Sequence, residues 1–106
     1  MLNLYILDEN GDPKPCKDII EWSKTLTDKS RTVGFDEVVV DGATYDVSTV
    51  FLGIDMNALG GPPLLWETMV FAGHQPALRR RHTSAEEAKA FHAVVADPEQ
   101  LRALLS

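Results

Sequence analysis

From Val38 to Leu52 the side chains alternate between two faces, and one Asp41-Gly42 pair interrupts the run. Val38, Val39 and Val40 are β-branched and favour an extended backbone. Asp-Gly between two such runs is a strong hairpin signal, because both central residues of the favoured tight turn need positive φ. Beyond the turn, Tyr45, Val47, Thr49 and Phe51 share one face, and Asp46, Ser48, Val50 and Leu52 share the other. A chain with this segment must build an antiparallel sheet around it and cover one side of that sheet.

The flanking segments supply the cover. Residues 2–7 alternate and read as a short strand, closed by the turn-forming run Asp8-Glu9-Asn10-Gly11-Asp12-Pro13. Residues 16–27 space Ile19, Trp22 and Leu26 along one helical stripe, ending near Thr27-Asp28, with acidic residues early and Lys24 and Lys29 late. Residues 30–35 lead into the next strand, with Gly34 at a bulge or turn. Gly53 to Pro63 is a long glycine- and proline-rich loop, and Leu64 to Ala72 reads as the last strand, broken by Gly73-His74-Gln75-Pro76.

After Arg79-Arg80-Arg81-His82, Thr83 or Ser84 caps a helix with Glu86 or Glu87 completing the box, and Ala88, Phe91 and Val95 form its apolar face. Asp97-Pro98 starts a final helix with Leu101, Leu104 and Leu105 on its buried side. The expectation is one α+β domain over residues 1–106. Its antiparallel sheet has about four strands with helices packed on it, in the order β-α-β-β-β-α-α.

Composition narrows the functions. A chain of 106 residues has room for one domain. Sixteen acidic residues against ten basic give a formal charge of −6, which argues against broad electrostatic binding of nucleic acid. Residues 61–106 balance five basic against five acidic residues, so the first sixty carry the whole negative excess. No apolar run is long enough to span a membrane, and the N-terminus has no basic region or cleavage site of a signal peptide. The lone Cys16 has no disulfide partner, and no Cys/His spacing suggests zinc. These features point to a cytoplasmic protein without cofactor or metal.

Few residues are candidates for chemistry. Glu67 alternates with Leu65, Met69 and Phe71; if that face is the covered one, its carboxylate is pulled from water, to be satisfied by an arginine, amide or histidine, or left perturbed. His92 lies at the edge of a helix face and could pair with Glu67 as an acid–base unit. These two are the catalytic candidates. Asp55 and Asn57 in the long loop are binding candidates, although turn chemistry also explains them and they are too few for a calcium site. Arg79, Arg80 and Arg81 form the one local basic cluster, either a solvated loop with one arginine turned inward or a dock for an acidic partner or phosphate. No nucleophile elbow is present.

Two strings carry a resemblance. Val47 to Asp55 with Asn57, then Gly61-Pro62-Pro63-Leu64-Leu65-Trp66-Glu67-Thr68-Met69-Val70-Phe71, resemble the core of a family of small uncharacterised proteins encoded by tailed phages and prophages. Arg81, Thr83, Ser84, Glu86-Glu87-Ala88 and His92 resemble its C-terminal block, so the likeness covers about residues 47–95. The family commonly has histidine where this chain has Met56, and tyrosine where it has His82. The resemblance implies a phage or prophage accessory protein in the cytoplasm of a bacterial host. Its expected role is a non-enzymatic protein-binding module, a modulator of a host process or defence system, with a protein partner and a homodimer expected. The alternatives are a minor structural or assembly component of the virion, and a small-ligand site or enzyme using Glu67 and His92.

Overall fold

The computed structural model describes residues 3–27 and 31–106. The hairpin at its centre joins β3 (Thr32–Val40) to β4 (Ala43–Phe51), with Val40 opposite Ala43. Asp41 (φ 51°) and Gly42 (φ 83°) both take positive φ, as the Asp-Gly turn requires. Gly34 marks a register shift in β3, so the bulge read from the sequence is present. β5 (Trp66–Ala72) pairs with β4, and β6 (Gln75–His82) pairs with β5, giving an antiparallel sheet of order β3-β4-β5-β6.

The α+β class, the four-stranded antiparallel sheet and the helices packed on it are as expected. Two further strands, one short and one of eight residues, extend the expected order. β1 (Leu4–Leu7) pairs with β2 (Pro13–Cys16), where the sequence reads only turn residues, and β6 occupies the stretch read as a break and an arginine loop. Both carry proline, which sheets tolerate at edges, and both are edge strands. Leu2, Asp28 and Lys29, used in the sequence reading, lie outside the described residues.

The last two helices begin at the expected caps, whereas the first begins three residues later than expected. α1 (Ile19–Thr25) follows Asp18, whose side chain accepts from the Ile20 and Glu21 amides. α2 (Ala85–Val95) follows Ser84, whose hydroxyl accepts from Glu87 N at 3.1 Å. α3 (Pro98–Leu105) follows Asp97, with proline in the first turn. Two expected buried positions are exposed. Ile19 and Leu104 are 58% and 44% accessible, because Trp22 and Leu26 are the residues of this segment that turn inward and Leu101 is the one buried under α3.

One face of the sheet is covered. Val38, Val40, Val47 and Val70 meet Val95 and Leu101 in one core cluster, while Phe51, Leu65, Trp66 and Ala88 form a second. Register decides this face: Val47 opposes Val70, Thr49 opposes Thr68 and Phe51 opposes Trp66. The buried side of β5 is therefore Trp66, Thr68 and Val70. Glu67, Met69 and Phe71 point the other way, towards a face that neither core cluster uses. The N-terminal hairpin and α1 fasten to the end of β4, where Gly53 O accepts from Tyr5 N at 2.8 Å and from Trp22 Nε1 at 2.9 Å.

Candidate functional site

The structure disperses the residues the sequence singled out. Glu67 lies on the uncovered face opposite Arg81, whose Nε donates to Oε2 at 3.0 Å. It is a carboxylate satisfied by an arginine, in a partly exposed cross-strand pair of the kind worth about 0.2–1 kcal/mol. His92 rises from α2 on the opposite, helix-covered side, so the two do not form an acid–base unit. In the long loop, Asp55 Oδ1 accepts from the amides of Asn57 (2.9 Å) and Leu64 (3.1 Å). Asn57 Nδ2 donates to Pro62 O at 2.9 Å, and its Oδ1 accepts from Leu59 N at 3.1 Å. Both side chains thus tie the loop to itself.

The arginines are not a loop. They sit in β6 with alternating directions: Arg79 and Arg81 on the uncovered face, and Arg80 on the helix face, 4.8 Å from the centre of the Phe91 ring. Among the described residues, no three of His, Cys, Asp and Glu gather as a metal site would need, and no helix is long and apolar enough to cross a membrane.

His92 has partners the sequence reading missed. Its Nε2 lies 2.7 Å from Asp36 Oδ2 on β3, and its Nδ1 lies 2.7 Å from Thr49 Oγ1 on β4. Carboxylate, imidazole and hydroxyl follow the order of a nucleophilic triad. Thr49 is fully buried, however, and its oxygen also meets Thr68 Oγ1 at 2.7 Å. A substrate cannot reach that hydroxyl, so the arrangement braces the fold instead of attacking a carbonyl. The brace continues from Thr68 Oγ1 to His82 Nε2 at 3.0 Å, and from His82 Nδ1 to Glu87 Oε1 at 3.5 Å. One side chain from each strand of the large sheet is thereby joined to two from α2.

Proton counting orders this chain. With both imidazoles neutral, the two rings and the two hydroxyls bring four protons to five links. The short Asp36 contact puts one on His92 Nε2. Thr49 then donates to His92 Nδ1, Thr68 donates to Thr49, and His82 Nε2 donates to Thr68. His82 Nδ1 is left bare towards Glu87, and it is the ring nitrogen without a hydrogen bond. The vacancy falls at the longest link.

Burial pushes the His82 imidazole below its ordinary value; the Glu87 carboxylate opposes this, and the Arg80 guanidinium adds to it. The folded protein therefore holds fewer protons at His82 than the unfolded chain does. Stability is full above the unfolded value near 6.5 and falls as pH drops through the lowered folded value, at up to about 1.4 kcal/mol per pH unit. Urea unfolding from pH 7 to pH 5 measures this, and His82→Gln is expected to flatten the slope while His74→Gln, in the β5–β6 turn, leaves it. An unchanged slope in His82→Gln would assign the acid sensitivity to other groups.

The signal for this network was a threonine on an otherwise apolar face, Thr49 among Tyr45, Val47 and Phe51. Its partners lie 19 and 43 residues away in sequence. A shallow groove beside the chain, lined by Arg80, His82, Glu87, Phe91 and Val94, is mostly apolar.

The open side of the sheet carries exposed apolar side chains. Phe35 and Val39 on β3 are each 58% exposed there, beside half-buried Val50, Met69 and Phe71. No protein-family model matches the chain, and no curated protein and no solved structure matches it.

Proposed function

We propose that this chain is a non-enzymatic protein-binding module, a small phage or prophage accessory protein that acts by occupying a partner in a bacterial host. One observation carries the reading: a four-stranded sheet with Phe35 and Val39 exposed on its bare face, whereas the hydroxyls and His82 are sealed inside. Large apolar side chains on a sheet face lose water favourably when a partner covers them. The uncovered face is mixed in character, as recognition surfaces are, with apolar residues flanked by Glu37 and Asp46 on one side and Arg79 and Arg81 on the other.

The test compares Val39→Asp with the wild type. Val39 is on an edge strand and exposed, so the variant is expected to stay within about 1 kcal/mol of wild-type stability. In host lysate the wild type is expected to retain a distinct protein that Val39→Asp releases. Equal retention by both, or retention of nothing but the chain itself, would remove this surface as the binding site. A second reading, an assembly component of the virion, is favoured by the opposite charges on the two edges of the same sheet.

A further inference from the structure

The two outer strands of the large sheet, unpaired on their outer sides among the described residues, carry opposite charge. β3 presents Asp36 and Glu37 at one edge, and β6 presents Arg79, Arg80 and Arg81 at the other. We propose that the partner of each edge is a second copy of this chain, with β6 of one copy adding antiparallel to β3 of the next, head to tail. This deepens the protein-binding reading by naming one partner, and it rests on that reading only in using the same sheet.

Direction allows it. The strands alternate in direction across β3-β4-β5-β6, so the β3 of a copy placed beyond β6 continues the antiparallel order without inverting the molecule. One register then satisfies charge and face together. With Arg79 opposite Glu37, both side chains lie on the uncovered face. Arg80 falls opposite Asp36, both on the helix face, where Arg80 covers Phe91 and Asp36 holds His92. Arg81 falls opposite the exposed ring of Phe35. A slip of one residue sends opposing charges to opposite faces, and a slip of two keeps at most one pair.

The edges themselves bracket this stretch. Pro76, at the start of β6, offers no N–H, and the β3 register shift lies between Thr32 and Gly34. Ala77 is skipped in the pairing of β6 with β5, so the proline and the two bulges leave residues 35–38 and 78–81 as matched segments. In the register set by the charges, these segments lie directly opposite one another. The contact uses two different patches of one molecule, so it does not close on itself in a pair but continues to a third copy and beyond.

Sedimentation velocity over a wide concentration series at low salt tests this. The wild type is expected to form a ladder of species that grows past the dimer and retreats as salt is added. Glu37→Arg alone and Arg79→Glu alone each set like charges face to face, and each is expected to weaken assembly at least about tenfold. Both positions are exposed, so neither variant threatens the fold. Mixing the two single variants, or combining them in one chain as E37R/R79E, restores opposite charges and is expected to restore growth. A wild type that stays monomeric throughout, one that stops at a dimer, or assembly indifferent to these reversals would overturn the proposal. A monomeric chain that still loses its host partner on Val39→Asp would leave the binding reading standing without self-assembly.

Discussion

Trp66→Ala is expected to remove about 3–5 kcal/mol, a large share of the roughly 5–15 kcal/mol typical of a single domain. Trp66 is 2% exposed, and its ring lies against Phe51 with centroids 5.2 Å apart at 57°. It anchors the second core cluster, in which Leu65 and Ala88 meet Tyr5, Leu7 and Leu26 of the N-terminal unit. Its loss would leave a cavity beside Phe51 and Leu65 in that cluster. Urea unfolding with Met69→Ala as a control separates the two faces of β5. Met69 is half-buried on the uncovered side, and its truncation should cost much less. Similar losses in the two variants would mean that the assignment of faces is wrong.

Gly53→Ala is the second large effect, expected at about 2–5 kcal/mol. Gly53 has φ +72°, a left-handed backbone that costs a side-chain-bearing residue about 1–2 kcal/mol. A Cβ there would also lie 2.9 Å from Trp22 Nε1, 3.2 Å from Leu26 Cδ2 and 3.2 Å from the Tyr5 carbonyl oxygen. Overpacking of this kind adds about 1–3 kcal/mol. The neighbours cannot yield cheaply, since the Gly53 carbonyl accepts from both Tyr5 N and Trp22 Nε1. Gly60→Ala is the matched control. Its φ is +83°, but nothing lies within 4 Å, so only the backbone cost remains. Equal losses at Gly53 and Gly60 would show that the close packing of α1 on this turn contributes nothing.

The pH dependence follows from the same architecture. His82 is buried because β6 is a strand whose inward side chain meets α2, and burial is what lowers its affinity for a proton. Had residues 79–82 been the solvated loop that the arginine run suggests, this histidine would titrate like any other. The brace from Asp36 to Glu87 is likewise a product of register: Thr49 meets Thr68 only because β4 and β5 pair with those two residues opposed.

Local rules and long-range pairing divided the work. The Asp41-Gly42 hairpin, the Gly34 bulge, the caps at Ser84 and Asp97, and the shared face of Val47, Thr49 and Phe51 depend on interactions a few residues apart. Each was therefore legible in the chain. β2 and β6 were not, because proline and consecutive arginines speak against a strand until an edge position makes both tolerable. Nor was the direction of Glu67 legible: alternation along residues 65–71 defines two faces without saying which one meets the helices.

What the amino-acid order determined alone is a repeat of two in the middle and capped amphipathic turns at the end, hence an antiparallel sheet with helices on it. The tertiary structure alone decided which side of β5 is buried, that Glu67 answers to Arg81 and His92 to Asp36, and that acidic and basic strands finish at opposite edges. Period and capping arise from covalent geometry and neighbouring amides, which any reader of the chain can count. Faces, partners and edges arise from which distant strand lies alongside, and that is set by the packing of the whole domain at once.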